Sequence, residues 1–304
     1  MGLEDHKLRV FCTVAETKSF SKASEIIHLT QPAVSLQIQA LEESYETKLF
    51  DRSSNSVVLT PAGELLYNYA KEILGLYASA EKDIGEITGL VKGSISIGAS
   101  TTIGNHVLPT VVSDFKKKNP KIKIHLLVGN TKRIVELLNA GNIDLGLVEG
   151  EVTRYKLMTE KLLADELVLI VSAFHPWAKK KEVSMLDIIK EPFIFREEGS
   201  GTRQVIEKYL GKRGITPQNM KITTILGSTE AIKEAVENGI GISIVSKWAV
   251  RRESRYGSIK FLKFKEAKML RNFSLIFNKN TVTSYASDEF LAYLRTYPFA
   301  RLLP

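Results

Sequence analysis

The chain has 304 residues, 44% apolar and 25% charged, which suits two or three folded domains and excludes a disordered or low-complexity polypeptide. Its charged start lacks the apolar core of a leader and no apolar run is long enough to span a bilayer, so a cytoplasmic protein with no membrane partner is expected. The single cysteine, Cys12, excludes an internal disulfide and a cysteine-based metal cluster, and the formal charge of +8 is compatible with nucleic acid as a partner.

Leu3, Leu8, Phe11, Cys12, Val14 and Ala15 recur at helical spacing and predict a first helix with one buried face. Ser19 or Ser21 caps a short second helix that turns Ala23, Ile26 and Ile27 inward. After a tight connection at Leu29 and Thr30, a third helix opens at Gln31 and Pro32, where proline's missing N–H costs nothing. It runs to about Ser44, with Val34, Ile38 and Leu41 on its apolar side. Two short helices joined so closely match a helix-turn-helix. The exposed side of the third helix presents Gln31, Ser35 and Gln39, polar side chains that a major groove accepts, glutamine on adenine and serine on several base edges. Ordinary solvated positions fit the same pattern equally well. Charge does not decide between them, because residues 1–60 hold six Lys/Arg against eight Asp/Glu while 247–271 hold nine against two.

Leu49 and Phe50, a polar turn at 53–56 and Val57, Val58 and Leu59 predict a small hairpin, or wing, from which Arg52 can meet a phosphate. Thr60 caps and Pro61 starts a further helix reaching Ile87, with Leu65, Leu66, Tyr69, Ile73, Leu76, Tyr77, Ala80, Ile84 and Ile87 at helical spacing. Its length favours a homodimer, which would set two reading helices on the half-sites of a near-palindrome. Gly89 and Gly93 bracket a short hinge.

The rest alternates in α/β order. A strand at 94–100 delivers Ser100, Thr101 and Thr102 to a helix at about 103–118. A strand at 121–129, a helix from Thr131 to Leu138 and a strand at 143–150 follow, so Ser100, Asn130 and Gly150 sit at strand C-terminal ends, where open sheets bind ligands. A strand at 166–172 begins a second unit. In 193–210 a strand meets a Gly/Ser/Thr turn and a helix, and Gly199, Ser200, Gly201 and Thr202 leave backbone N–H groups free for a carboxylate, sulfate or phosphate. Arg203 faces that ligand or pairs with an acidic neighbour, and the sequence favours neither. Residues 222–250 read as strand, helix, strand and helix, with the second strand at 239–245; 273–279 and 284–296 supply a last strand and helix.

An enzyme is disfavoured. His6, His28, His106, His125 and His175 make no metal-ligand spacing, and Ser200 lacks a base partner and a nucleophile elbow. No cofactor is called for beyond a small-molecule effector. A solute-binding protein without DNA function is the closer rival, disfavoured by the first ninety or so residues and the missing leader.

The order of Ala23, Thr30-Gln31-Pro32, Ser35, Gln37, Leu41-Glu42, Leu49-Phe50, Arg52 and Thr60-Pro61-Ala62-Gly63 resembles the LysR-type transcriptional regulators, and the resemblance covers nearly the whole chain. It implies a multidomain α+β protein: a winged helix-turn-helix at 1–60, a linker and dimerisation helix at 61–88, a hinge at 89–93, and two Rossmann-like lobes resembling periplasmic solute-binding proteins. Lobe I would take 94–163 plus 268–304 and lobe II 164–267. It implies promoter DNA as partner, held by Thr30, Gln31, Pro32, Ser35, Gln39 and the wing residue Arg52. It also implies a homodimer assembling to a homotetramer, with RNA polymerase as a candidate further partner.

The sensor half resembles the branch that regulates sulfur assimilation or carbon fixation, through its Ser/Thr strand end and the REEGSGTR turn at 196–203. By that resemblance Ser100, Thr101, Thr102, Thr131, Gly150, Ser200, Gly201, Thr202 and Arg203 hold a small anionic metabolite between the lobes. Glu149 and Glu198 lie near the same place and would suit an amine, hence an amino-acid-like effector. Two departures stand out. Leu36 occupies a position often arginine in relatives, and Glu46 one usually glycine, where a left-handed cap would cost about 1 kcal/mol.

Overall fold

The computed structural model describes residues 6–27, 29–54, 56–88, 93–152, 157–278 and 284–302. The N-terminal unit is α1 (His6–Thr17), α2 (Phe20–Ile26), α3 (Gln31–Ser44), the hairpin β1 (Phe50–Ser54) and β2 (Ser56–Leu59), and the long helix α4 (Pro61–Thr88). Its core takes most of the set the periodicity predicts: Leu8, Phe11, Cys12, Val14, Ala23, Val34, Ile38 and Leu41 are buried together with Leu49 and Phe50, Val10 joins them, Ala15 and Ile27 pack on it partly buried, and Ile26 stays outside it. Leu3, His28 and the hinge residues 89–92 lie outside the described residues. Ser19 rather than Ser21 caps α2, accepting a hydrogen bond from the Lys22 N–H. Thr60 Oγ1 accepts from the Gly63 N–H at 3.0 Å and so caps α4.

Lobe I is built from β3 (Gly93–Ser100), α5 (Thr101–His106), α6 (Leu108–Lys118), β4 (Ile122–Gly129), α7 (Thr131–Asn139) and β5 (Leu145–Glu149). The helix expected at 103–118 starts two residues earlier and is broken in two. Val107, at φ −114°, is both the C-cap of α5 and the N-cap of α6, and Pro109, in the first turn of α6, lacks the N–H that would continue the ladder.

A strand twice the expected length follows: β6 (Leu157–Ser172) begins nine residues before 166. Its first half is half-exposed and reads ambiguously, because one long antiparallel partner stabilises it rather than an alternating apolar face. Then come β7 (Glu182–Val183), β8 (Phe193–Arg196), α8 (Gly201–Gly211), β9 (Ile222–Leu226), α9 (Thr229–Glu237) and β10 (Ser243–Ser246). The strand expected at 239–245 is confined to that last span, since Gly239 takes φ +75° in the turn after α9. The helix expected by 250 forms just beyond it, as α10 (Arg251–Tyr256). The chain ends in β11 (Ile259–Phe264), β12 (Met269–Asn278) and α11 (Tyr285–Thr296).

One sheet runs β4-β3-β5-β12-β6-β11-β7, with β10 also on β6, while β8 and β9 pair separately. The β6–β12 ribbon, paired from Met269↔Leu167 to Asn278↔Leu157 with one register shift between Phe273 and Ser274, crosses between the lobes and brings the C-terminal segment back onto lobe I. The boundaries 163/164 and 267/268 thus fall inside β6 and just before β12. Ile95, Ile97, Leu108, Phe115, Leu147, Phe273 and Phe290 form the core of lobe I; Leu169, Phe193, Phe195, Ile206, Leu210 and Leu262 form that of lobe II.

Candidate functional site

On α3, Thr30 is the N-cap, its Oγ1 accepting from the Ala33 N–H, and Pro32 lies in the first turn. Gln31 Nε2 donates to Ser35 Oγ at 3.1 Å, and Gln39 Nε2 to Glu43 Oε1 at 2.8 Å. Gln31 and Gln39 are exposed and Ser35 half-buried, so the three share the solvent side of the helix. Leu36 is 65% exposed beside them. The side chain of Arg52 lies outside the described residues. Glu42, part of the family motif, had no role assigned to it from the sequence. Its buried carboxylate accepts from the Leu49 and Phe50 N–H groups at 3.0 and 3.3 Å and from Lys48 Nζ at 2.8 Å, fixing the wing against α3. Burial pushes this carboxyl up, but the Lys48 and backbone donors pull it below its ordinary range.

The second site lies where β3, β5, β6, β8 and β12 converge. Glu149, at the end of β5, is buried, and its Oε1 accepts from the Thr102 N–H at 2.6 Å and the Ile103 N–H at 3.3 Å, at the start of α5. Its Oε2 accepts from Thr202 Oγ1 at 3.2 Å and Arg271 Nη1 at 2.7 Å. Arg271, rising from β12, also donates from Nε to Asp165 Oδ2 at 2.7 Å and to the hydroxyls of Thr202 and Thr102 at 2.8 and 3.2 Å. Burial pushes both carboxyls up. Arg271 and the Thr102 donors bring Glu149 below its usual range, while Asp165 stays above its own despite Arg271 and Ser246.

Arg196, at the end of β8, is buried too. It forks onto Glu197 at 2.7 and 3.0 Å and reaches across to Thr101 Oγ1 at 3.2 Å and Thr229 Oγ1 at 3.1 Å. Further bonds close the lobes on each other: Asn130 Nδ2 to Glu197 Oε1 at 3.1 Å and the Lys132 N–H to Gly199 O at 3.1 Å. Gly201 passes so near lobe I that a Cβ there would lie 2.0 Å from Glu149 O.

The expected effector residues therefore divide. Thr102 and Thr202 meet on Glu149. Ser100 Oγ and Thr131 Oγ1 are 3.0 Å apart, and Thr131 donates to Glu149 O at 3.0 Å. Thr101 turns instead to Arg196. Ser200 Oγ caps α8 by accepting from the Arg203 N–H at 3.4 Å. Gly150 sits at φ +84° in the turn that leads out of β5. Arg203 pairs with Glu207 at 2.8 Å and stacks on Phe195, so its acidic neighbour holds it. A cavity of about 490 Å³ at the mouth of the cleft is lined by Thr131, Ser200, Gly201 and Arg203.

Arg271, Arg196, Asp165 and Glu197 were missed. The available signal was a charged residue inside an apolar strand, as in MLRNFSLIF, since such a charge is buried only with partners. Of the two acids flagged, Glu149 is central and Glu198 exposed. Among the described residues no group of three or more His, Cys, Asp or Glu is placed to hold a metal ion, and no helix is long and apolar enough to cross a membrane.

Two sequence families match. Residues 6–64 match the bacterial regulatory helix-turn-helix protein, lysR family, and residues 88–298 match the LysR substrate binding domain. The chain is 33% identical to the HTH-type transcriptional regulator CysL of Bacillus subtilis, over 97% of this chain and 98% of that one. It is 34% identical to a probable RuBisCO transcriptional regulator of Synechocystis sp., over 94% and 84%. The regulatory domain of Synechocystis CcmR, solved in complex with 2-PG, superposes with a TM-score of 0.62 at 27% identity, covering 67% of this chain and 96% of that one.

Proposed function

The chain belongs to the LysR-type family of sequence-specific DNA-binding transcriptional regulators, which are not enzymes, and on that premise we propose that a small anionic metabolite controls it by competing with Glu149 between the lobes. The observation that carries this reading is that the Thr102 N–H, the Thr202 hydroxyl and Arg271 already hold a carboxylate, that of Glu149. An incoming carboxylate or phosphate finds its donors taken. A second anion beside the buried carboxylates of Glu149 and Asp165 would be repelled, so the effector's anionic group replaces Glu149. Displaced, Glu149 accepts an amine if the effector carries one, as an amino-acid-like metabolite would. The similarity to CcmR, solved with 2-PG, supports an organic acid.

Because the cradle draws Thr102 from lobe I, Thr202 from lobe II and Arg271 from the ribbon between them, the exchange alters lobe geometry. Effector thereby favours one arrangement over the other, which is what linkage to DNA binding requires. Leu65, Tyr69, Ile73, Leu76 and Ile84 form an exposed stripe on α4, which supports a homodimer through that helix. Such dimers would pair into tetramers, placing Gln31, Ser35 and Gln39 of each reader, with Arg52 on the wing, against promoter half-sites. The relatives named for CysL and RuBisCO regulation point to sulfur or carbon-fixation genes, with RNA polymerase as the onward partner.

The test is a thermal-shift screen of small organic acids on wild type and Glu149→Gln, followed by binding to the chain's own upstream DNA with and without the hit. An acid should stabilise the protein, bind more tightly to E149Q, and change the DNA complex. Absence of any hit in both proteins, or no binding to upstream DNA at low salt, overturns the reading.

A further inference from the structure

A second cleft, of about 560 Å³, lies on the next face of α8, against the β6–β12 ribbon. Alternate residues of a strand share a face, so β6 supplies Thr159 and Lys161, and β12 supplies Asn272 and Ser274. Lys161 and Ser274 are directly paired across the ribbon. From α8 come Lys208 and Lys212, one turn apart. Lys208 pairs with Glu151, whose carboxyl is held below its ordinary range first by Lys208 and then by Lys212. Lys161 and Lys212 form no ion pair among the described residues, so two of the three ammonium groups are not neutralised.

The neutral groups are also without partners. Ser274 is only 5% exposed, yet its hydroxyl makes no hydrogen bond among the described residues, and neither does the Asn272 carboxamide or the Thr159 hydroxyl. Ser274 is the buried member of this set, with its hydroxyl still reaching the cleft, while Asn272 is half-buried and Thr159 exposed on the same face, so all three are open to a partner in the cleft. The wall behind Lys212 is rigid. Its Nζ lies 5.7 Å from the centre of the Tyr209 ring, and Tyr209 Oη donates to Leu270 O at 3.2 Å and accepts from the Leu270 N–H at 3.1 Å.

We propose that this cleft is a second effector site that binds a small dianion, a phosphate monoester or a dicarboxylate. Lys161 and Lys212 take its charges, and Asn272, Ser274 and Thr159 donate to its oxygens. The volume suits a small metabolite. Because the walls come from lobe II, from the chain just after β5 and from the ribbon that joins the lobes, occupancy stiffens that ribbon and biases the interlobe angle.

Isothermal titration of the full-length protein with succinate and, separately, glycerol 3-phosphate tests the site and tells the two sources apart. Saturable binding of at least one is expected. It should weaken about tenfold or more in Lys161→Glu/Lys212→Glu, as loss of two charge-assisted contacts requires. Ser274→Ala should weaken it less, and Lys263→Glu/Lys265→Glu, the same charge change at the distant end of β11, should leave it intact. All of these lysines are exposed, so the folded state is retained and is checked by thermal melts. No saturable binding of either probe, undiminished binding in K161E/K212E, or equal loss in K263E/K265E overturns the proposal.

Discussion

Arg271 Nη1 lies 2.7 Å from Glu149 Oε2 in the closed cleft, and the same guanidinium reaches Asp165 at 2.7 Å through Nε. One cation thus answers two buried carboxylates that belong to different elements. Replacing it with a side chain of similar reach but no charge, Arg271→Met, leaves both acids without their counter-ion. Breaking a buried pair in this way costs about 3–5 kcal/mol. Urea denaturation followed by circular dichroism should show that loss. A change below about 1 kcal/mol, the size of an exposed pair, would mean that water reaches these carboxylates.

Thr102 and Thr202 hold Glu149 from opposite lobes, and by the proposed exchange they also hold the effector. The double variant T102A/T202A should therefore weaken the effector-induced change in DNA binding while the complex formed without effector stays close to wild type. Fluorescence anisotropy on upstream DNA, with and without the hit from the acid screen, separates the two quantities. Parallel loss of both would place these threonines in the general stability of the sensor rather than in ligand recognition.

The two-part plan was readable because it rests on local signals. Thr30, Pro32, Thr60 and Pro61 punctuate helices by backbone chemistry that needs no tertiary context, and both threonine caps form. The Ser/Thr strand end and the Gly/Ser/Thr turn were visible for the same reason. What filled the space between them was not. Arg271 and Thr102 are separated by 169 residues, and Arg196 and Thr101 by 95. A charge in an apolar strand announces that a partner exists but not which one. The long β6 was missed for a related reason: its first half is held by pairing with β12, a property of the register and not of its own pattern.

Gln31 and Ser35 are bonded to each other on the exposed side of α3, positioned ahead of any contact with a base. Gln31→Ala should lower affinity for the upstream site more than affinity for unrelated DNA, because a base-edge contact carries sequence information and a phosphate contact does not. Competition titrations at fixed salt give the ratio directly. An equal loss on both DNAs would assign Gln31 to the backbone.

Glu230, in the first turn of α9, links the lobes through His106 at the end of α5. Its Oε1 is 3.2 Å from His106 Nε2, an ion-pair distance without hydrogen-bond alignment, and its Oε2 is 2.7 Å from Lys233 Nζ. His106 and then Lys233 pull its carboxyl from 4.5 down to about 2, against a burial effect that raises it. A carboxyl depressed in the folded state stabilises above its unfolded value, and that contribution fades as pH falls through the folded one. Between about pH 4.5 and 2 the wild type should lose melting temperature faster than Glu230→Gln. The side chain is 53% exposed, so solvent screening keeps the effect small. Identical acid slopes for the two proteins would show that the contact is not made in solution.

Glu46 completes the end of the recognition helix in a conformation its side chain resists. Tyr45 is the C-cap of α3, and Glu46 takes φ +50° while the Thr47 N–H reaches back to Glu42 O at 3.1 Å. That is a left-handed helix stop of the kind glycine adopts freely. With Cβ present the conformation costs about 1 kcal/mol, and no ion pair of Glu46 among the described residues offsets it. The same segment leads directly to Lys48 and Leu49, which Glu42 uses to hold the wing. Glu46→Gly should therefore raise the stability of the DNA-binding unit by up to about 1 kcal/mol, less whatever flexibility glycine adds to the unfolded chain. Guanidinium denaturation gives the sign. A destabilised E46G would mean that unfolded-state entropy outweighs the relief of strain, and that glutamate holds this turn better than its geometry predicts.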